Sequence, residues 1–427
     1  MSEDLSAPPK SENILGKIFH KKHDTSSSET ARSQQPQTDN PQEQRESKKL
    51  DQQKDSDEAQ MSYKLSYTVG VSENKNSKYR LTMEDVHTYV ANFVERLDWG
   101  YFAVFDGHAG KSSAKWCGQN LHLLLEKELL SNEQKQQQRA KWKSRDGMTQ
   151  EDAITTVDST QGFTDQETEE YDKDVRDCLD SCFQQADKLI SQSTNNIGTS
   201  GCTAAVAIMR WELDDEYQDK VHSATTNNYK SKDYLPEDVD PDKESKSNAS
   251  DGINRKSFIN QNVKEMQELF DFLPSANHKR MLYTANVGDS RLVLCRSGYA
   301  IRLSYDHKGS DVNEGNRIIQ AGGLIMKNRV NGVLAITRSL GDTYLKNLII
   351  GRPYTTAIEI NEHDEFLILA CDGLWDVLSD QEAVDLIREE PDPNKQSKIL
   401  VDHAMKNLST DNITVMVIRF DKKIFTK

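Results

Sequence analysis

Short runs of β-branched and aromatic residues recur along this 427-residue chain, and their clustered arrangement constrains its fold more than any other feature. The runs are Tyr67–Val71, Tyr101–Phe105, Thr203–Met209, Leu282–Val287, Arg291–Cys295, Phe366–Ala370 and Ile413–Phe420, each of strand length and composition. Helical periodicity separates the clusters. From Ser112 to Leu130, Ala114, Cys117, Leu121, Leu124, Leu125 and Leu129 recur at three-to-four spacing. From Asp174 to Ile190, Val175, Leu179, Cys182, Phe183, Ala186, Leu189 and Ile190 do the same. A third helix is predicted to open at Ser379-Asp380-Gln381-Glu382, a capping-box pattern in which serine and glutamate satisfy each other's free amides. Ser297-Gly298 predicts a hairpin turn. Strands that cluster, with helices between clusters, suit antiparallel sheets covered by helices rather than a parallel βαβ sheet.

The rest of the chain is too polar to join a core. Residues 1–60 carry twelve acids and nine bases, and their one apolar cluster is Ile14-Leu15 with Ile18-Phe19. They are expected to form a disordered tail, with those four residues as the alternative of a short partner-docking motif. Residues 131–174 (eleven acids, six bases) and 214–251 (eleven acids, five bases) are expected to be acidic insertions. Together the three segments hold -14 of the net charge of -15, so the acidity says little about a substrate. What remains, about 280 residues within 61–421, is the size of one domain with one core. No Lys/Arg run suggests nucleic-acid binding, and no apolar stretch approaches the ~20 residues of a membrane span. The amino terminus lacks the layout of a secretory signal, and the six cysteines show no Cys-x-x-Cys pair. A soluble protein of a reducing compartment is expected, in cytoplasm and nucleus.

Acids stand where apolar strands end. Phe102–Phe105 runs into Asp106-Gly107-His108, Phe366–Cys371 runs into Asp372-Gly373, and Asp411-Asn412 immediately precedes Ile413–Val417. Met83-Glu84-Asp85-Val86 is a fourth instance. A single Asp-Gly is ordinarily a turn former. Several on one rim would repel each other strongly unless cations lay between them. Oxygen ligands without thiolates or paired histidines favour Mg²⁺ or Mn²⁺, and two such ions activate water for phosphate-ester hydrolysis. Glycine after the aspartate would let a backbone carbonyl reach a metal. Arg80 offers the fork that grips a phosphate, and His108 could protonate a leaving alkoxide. Taken alone, the first is more readily a surface arginine, and the second is equally a supporting or capping histidine.

These residues fall into a known pattern. Arg80-Leu81-Thr82-Met83-Glu84-Asp85, Phe105-Asp106-Gly107-His108-Ala109-Gly110 and Ser200-Gly201-Cys202-Thr203-Ala204 resemble signatures of the metal-dependent type 2C protein serine/threonine phosphatases. So do Ala285-Asn286-Val287-Gly288-Asp289-Ser290-Arg291, Thr337-Arg338-Ser339-Leu340-Gly341-Asp342, Ala370-Cys371-Asp372-Gly373-Leu374-Trp375-Asp376-Val377 and Thr410-Asp411-Asn412. They occur in the family's order across residues 62–420. The flanking Val71–Lys78 particularly resembles the small fungal members that temper stress-activated MAP kinase signalling. The resemblance implies an α+β, four-layer α-β-β-α sandwich: two antiparallel sheets flanked by antiparallel helices. It also implies two Mg²⁺ or Mn²⁺ ions per subunit, bridged by Asp106. Gly107 would add its carbonyl, Asp372 and Asp411 would complete one ion's shell, and Glu84 would bind directly or through water. Asp85 would lie behind them, Arg80 would hold the phosphate, and His108 would be the general acid. Asp289 and Asp376 resemble ligands of a weaker third ion. Phosphoserine and phosphothreonine proteins are the implied substrates, with MAP kinases or their activators as partners, and a monomer is expected. Cys202 departs from the family, many of whose members have Ser or Thr there.

Rival classes lack their residues. No cysteine is followed six positions later by arginine, as cysteine-dependent phosphatases require. The Gly-Asp-x-His-Gly and Gly-Asn-His-Glu motifs of the histidine-rich binuclear class are absent, as is a kinase phosphate loop. A catalytically dead relative serving as a binding module would have lost metal-site carboxylates, whereas the principal ones are present.

Overall fold

The computed structural model describes residues 64–145, 174–193, 197–213 and 269–425. All of them fall in one of the chain's two units, Tyr63–Lys427. The tail, and all of the two acidic segments except residues 131–145 and Asp174, lie outside the described residues.

Two five-stranded antiparallel sheets carry the domain. In chain order their strands are β1 (Tyr67–Asn74), β2 (Val86–Ala91), β3 (Gly100–Phe105), β6 (Ala204–Leu213), β7 (His278–Val287), β8 (Arg291–Arg296), β9 (Tyr299–Arg302), β13 (Tyr354–Ile360), β14 (Asp364–Ala370) and β15 (Ile413–Phe420). One sheet runs β1-β15-β14-β8-β9 and the other β13-β7-β6-β3-β2. The numbers skipped belong to two small sheets: β4 (Gly107–His108), β5 (Gly201–Cys202) and β12 (Leu340–Gly341) form one, β10 (Ile325–Met326) and β11 (Arg329–Val330) the other. Helices α1 (Ser112–Arg145), α2 (Val175–Gln192), α3 (Val312–Gln320), α4 (Asp372–Trp375), α5 (Asp380–Ile387) and α6 (Pro393–Lys406), with short 3-10 turns at Phe93–Glu95, Thr343–Leu345 and Lys422–Phe425, complete the regular structure among the described residues.

Strand alternation sorts the core. In β3, Phe102 and Val104 face the other sheet, while Tyr101, Ala103 and Phe105 face α1 and α2. In β14, Leu367 and Leu369 meet the first sheet's partner across the interior, whereas Phe366, Ile368 and Ala370 pack on α5 and α6. Successive residues of a strand point to opposite faces, so strands covered on both faces must be apolar throughout. Each such fully buried side chain contributes about 1.5–3 kcal/mol relative to exposure.

The local signals account for the boundaries. Ser379 and Glu382 form the predicted capping box at α5, and Asp174 with Asp177 forms another at α2. The Ser297-Gly298 turn joins β8 to β9 with both φ angles positive, the geometry that matches strand twist in a two-residue hairpin. One difference is instructive. Helix α1 runs to Arg145, fifteen residues into the stretch expected to be an insertion. That stretch is rich in Gln, Lys, Arg and Glu, residues that favour helix even where nothing is buried.

Candidate active site

Register gathers the strand-end acids. Val86 at the start of β2 pairs with Phe105 at the end of β3, which brings Asp85 beside Asp106. Ala370 at the end of β14 pairs with Val415 of β15 and with Arg291 of β8. Asp372, Asp411 and Asp289 therefore share one rim. Gly373 makes this closeness possible, because a Cβ there would lie 2.0 Å from the Asn412 carbonyl oxygen. Gly107 does comparable work, since its Cβ would lie 2.6 Å from the Glu84 carbonyl oxygen.

Burial and repulsion act on Asp85, Asp106, Asp289, Asp372 and Asp411. Burial, then Asp372, then Asp85, Asp289 and Asp411, push the Asp106 carboxyl well above the ordinary range. Burial followed by Asp289 and Asp411 does the same to Asp372. Asp85, 2 % exposed, is pushed up to about 6 by burial, against the hydrogen bond that it accepts from Thr414 (2.7 Å). Burial also raises Asp289 and Asp411, the first relieved by Lys308 and the second by Arg80.

Oxygen-rich chemistry here fits a hard divalent cation. Oδ1 of Asp85 and Oδ1 of Asp372 are buried with no hydrogen-bond partner among the described residues. Buried anionic oxygens left in that state are costly unless a cation meets them. Among the described residues no three His, Cys, Asp or Glu side chains are already drawn together as a metal cage. The fit rests on donor type, burial and unpaired oxygens.

The other predicted residues surround this rim. Arg80, half exposed at the mouth, donates from Nη2 to Asp411 Oδ2 and from Nε to the Thr410 carbonyl (3.2 Å). Glu84 accepts from Thr82 Oγ1 (2.9 Å) and from the Gly110 amide (3.1 Å). His108 Nε2 lies 2.7 Å from Oδ2 of Asp342, a fully buried aspartate that also accepts from Ser339 Oγ at 2.5 Å. Gly201 leaves room for this pair, because a Cβ there would stand 2.1 Å from Asp342 Oδ2 and 2.4 Å from His108 Nε2.

Three contributors had no assigned role in the sequence reading. Asp342 closes the motif Thr337–Asp342, whose Gly-Asp ending was the available signal. Asn412 accepts from the Glu84 amide (2.8 Å) and donates to the carbonyls of Lys75 (2.8 Å) and Thr82 (3.0 Å), fastening the loop that carries Arg80 and Glu84. Lys308 lies 3.4 Å from Asp289 Oδ2 and 3.6 Å from Asp376 Oδ1, and nothing in its sequence context announces this. Cys202 is fully buried, with Sγ 3.6 Å from Cys117 Sγ, so its thiol packs inside the domain and away from solvent.

A strand-end rim of buried carboxylates, with an arginine and a histidine beside it, suits metal-assisted phosphate-ester hydrolysis. The family model described as protein phosphatase 2C matches residues 69–212 and 218–413, and the chain belongs to that family. It is a protein phosphatase, and metal dependence (Mg²⁺ or Mn²⁺) is general to the family. The chain is 44% identical over 356 residues to protein phosphatase 2C homolog 1 of Saccharomyces cerevisiae, covering 83% of this chain and 94% of that one. It is 38% identical over 358 residues to protein phosphatase 2C homolog 1 of Schizosaccharomyces pombe, covering 83% and 74%. A solved phosphatase from Toxoplasma gondii shares the fold at a TM-score of 0.52 and 20% identity, over 83% of this chain and 93% of that one. Among the described residues no helix is long and apolar enough to cross a membrane.

Proposed function

We propose that the chain hydrolyses phosphoserine and phosphothreonine in proteins at the rim formed by Glu84, Asp106, Gly107, Asp372 and Asp411. The observation that carries this reading is the convergence of buried, mutually repelling carboxylates with unpaired oxygens on Asp85 and Asp372. Two divalent ions, when bound, would supply a water-derived nucleophile at neutral pH and neutralise charge on the phosphoryl group. Asp106, on which both Asp85 and Asp372 act, would help to hold the ions. Arg80 at the mouth would exchange its pairing with Asp411 for the substrate phosphate, which accepts its planar fork. His108 would deliver a proton to the departing serine or threonine oxygen, with Asp342 fixing the plane of its ring.

Three apolar clusters, helix-to-sheet, sheet-to-sheet and sheet-to-helix, support a four-layer α-β-β-α sandwich. The domain is proposed to span 61–421, with 131–174 and 214–251 as insertions. A role in tempering stress-activated MAP kinase signalling, with phosphorylated MAP kinases or their activators as substrates, rests on the likeness of Val71–Lys78 to fungal members of the family. The decisive measurement is hydrolysis of a phosphothreonine peptide with and without Mg²⁺ or Mn²⁺. Turnover that survives complete chelation would sink the mechanism.

A further inference from the structure

Lys308 is the one cation among the described residues that the structure sets against both Asp289 and Asp376. Asp289 is almost fully buried, whereas the Asp376 side chain is 60 % exposed, so the pair spans from the interior to the surface. The lysine lies at neither ideal hydrogen-bond distance, at 3.4 and 3.6 Å, and shares its charge between the two acids. Its backbone is fixed independently. Lys308 bridges to Ile336, the Gly309 amide donates to the Ala335 carbonyl (2.8 Å), and the Thr337 amide donates to the His307 carbonyl (2.8 Å). Lys308 thus stands at the root of the lobe 309–336, where the chain leaves the domain and returns to it.

We propose that Lys308 is a built-in counter-cation for the Asp289–Asp376 pair, and that a divalent ion binding there must displace its ammonium group. The proposal rests on the rim being a cation site. The two positive charges would compete for the same oxygens, and like charges a few ångströms apart in a partly buried site repel strongly. An ion taken by Asp289 and Asp376 would therefore be held less tightly than one with no resident rival. Displacement also couples the ion to the lobe, because the side chain that must leave is anchored at the lobe's root.

The test is Mn²⁺ binding to the full chain, read from the electron paramagnetic resonance signal of free Mn²⁺, without any activity measurement. Lys308→Met should tighten the weakest class of sites at least tenfold and leave tighter classes unchanged. Lys308→Arg, which keeps the charge, should bind nearly as wild type. An unchanged or weakened weakest class in Lys308→Met would overturn the proposal. If Lys308→Met fails to fold, amine-directed labelling of the wild-type protein read by mass spectrometry decides instead. Lys308 should become more reactive as Mn²⁺ fills the weakest class, and constant reactivity would overturn the proposal. Absence of any Mn²⁺ binding in the wild type would be a different failure, since it would remove the cation rim itself.

Discussion

Metal-free protein should be stabilised at neutral pH by replacing one of its own active-site acids. Asp85 is buried, its Oδ2 accepts from Thr414, and its Oδ1 has no partner. Its carboxyl moves from 3.8 to about 6 on folding. The folded state therefore holds a proton that the unfolded state has released, and stability falls as pH rises from about 4 to about 6. A displacement of that size corresponds to about 3 kcal/mol at pH 7.5. Asp85→Asn keeps the shape and the Thr414 hydrogen bond, removes the charge, and turns a donor toward the neighbouring carboxylates. In excess chelator at pH 7.5 the variant should melt higher than wild type, by about 6–12 °C for a domain of this size. The gap should close below about pH 4, where the wild-type carboxyl is protonated in both states, and shrink at pH 7.5 when Mg²⁺ is restored. Calorimetry across pH, with and without chelator, reads all three. A variant less stable than wild type at pH 7.5 without metal, or a gap that ignores pH, would refute the electrostatic account of the rim.

His108→Gln should lower kcat on a phosphothreonine peptide by about 10²-fold or more, and much less on p-nitrophenyl phosphate, whose leaving group needs little protonation. Equal deficits on both esters would assign His108 a purely structural part. Asp342→Asn should show the same leaving-group dependence in weaker form, because it removes the charge that orients the ring. Arg80→Ala should raise KM for both esters, and an unchanged KM would place the phosphate elsewhere. Gly373→Ala should cost about 1–3 kcal/mol in denaturant unfolding and weaken Mg²⁺ binding, since its new methyl collides with the Asn412 carbonyl at 2.0 Å. A variant of native stability would show that the contact relaxes freely.

The strands buried on both faces were legible because each is an unbroken apolar run. The edge strands β2 and β13 were not. β2 and β13 are only partly buried, so Thr88, Thr355, Thr356 and Glu359 interrupt their apolar pattern. Helix α6 went unpredicted although Asp392 caps it and Pro393 occupies its first turn. Its apolar face is too sparse to stand out by periodicity. The acids of the rim were visible one by one as strand ends, and register then brought them together. By contrast, the pairing of His108 with Asp342 joins positions 234 residues apart, and Lys308 meets Asp289 across the whole β8–β9 hairpin. Such pairings follow from tertiary packing, and local sequence carries no trace of them.

The pairing of β1 with β15, Tyr67 opposite Phe420 and Asn74 opposite Ile413, has a consequence for the life of the polypeptide before it is finished. Strand β1 finds its neighbour only after every other described strand of the domain has been made. Asp411 arrives with that neighbour, so a nascent chain halted anywhere upstream lacks both a sheet partner and a rim acid. Pairings of such long sequence separation form late and slowly. A copy halted before β15 is therefore expected to be inactive, for want of the partner of β1 and of Asp411.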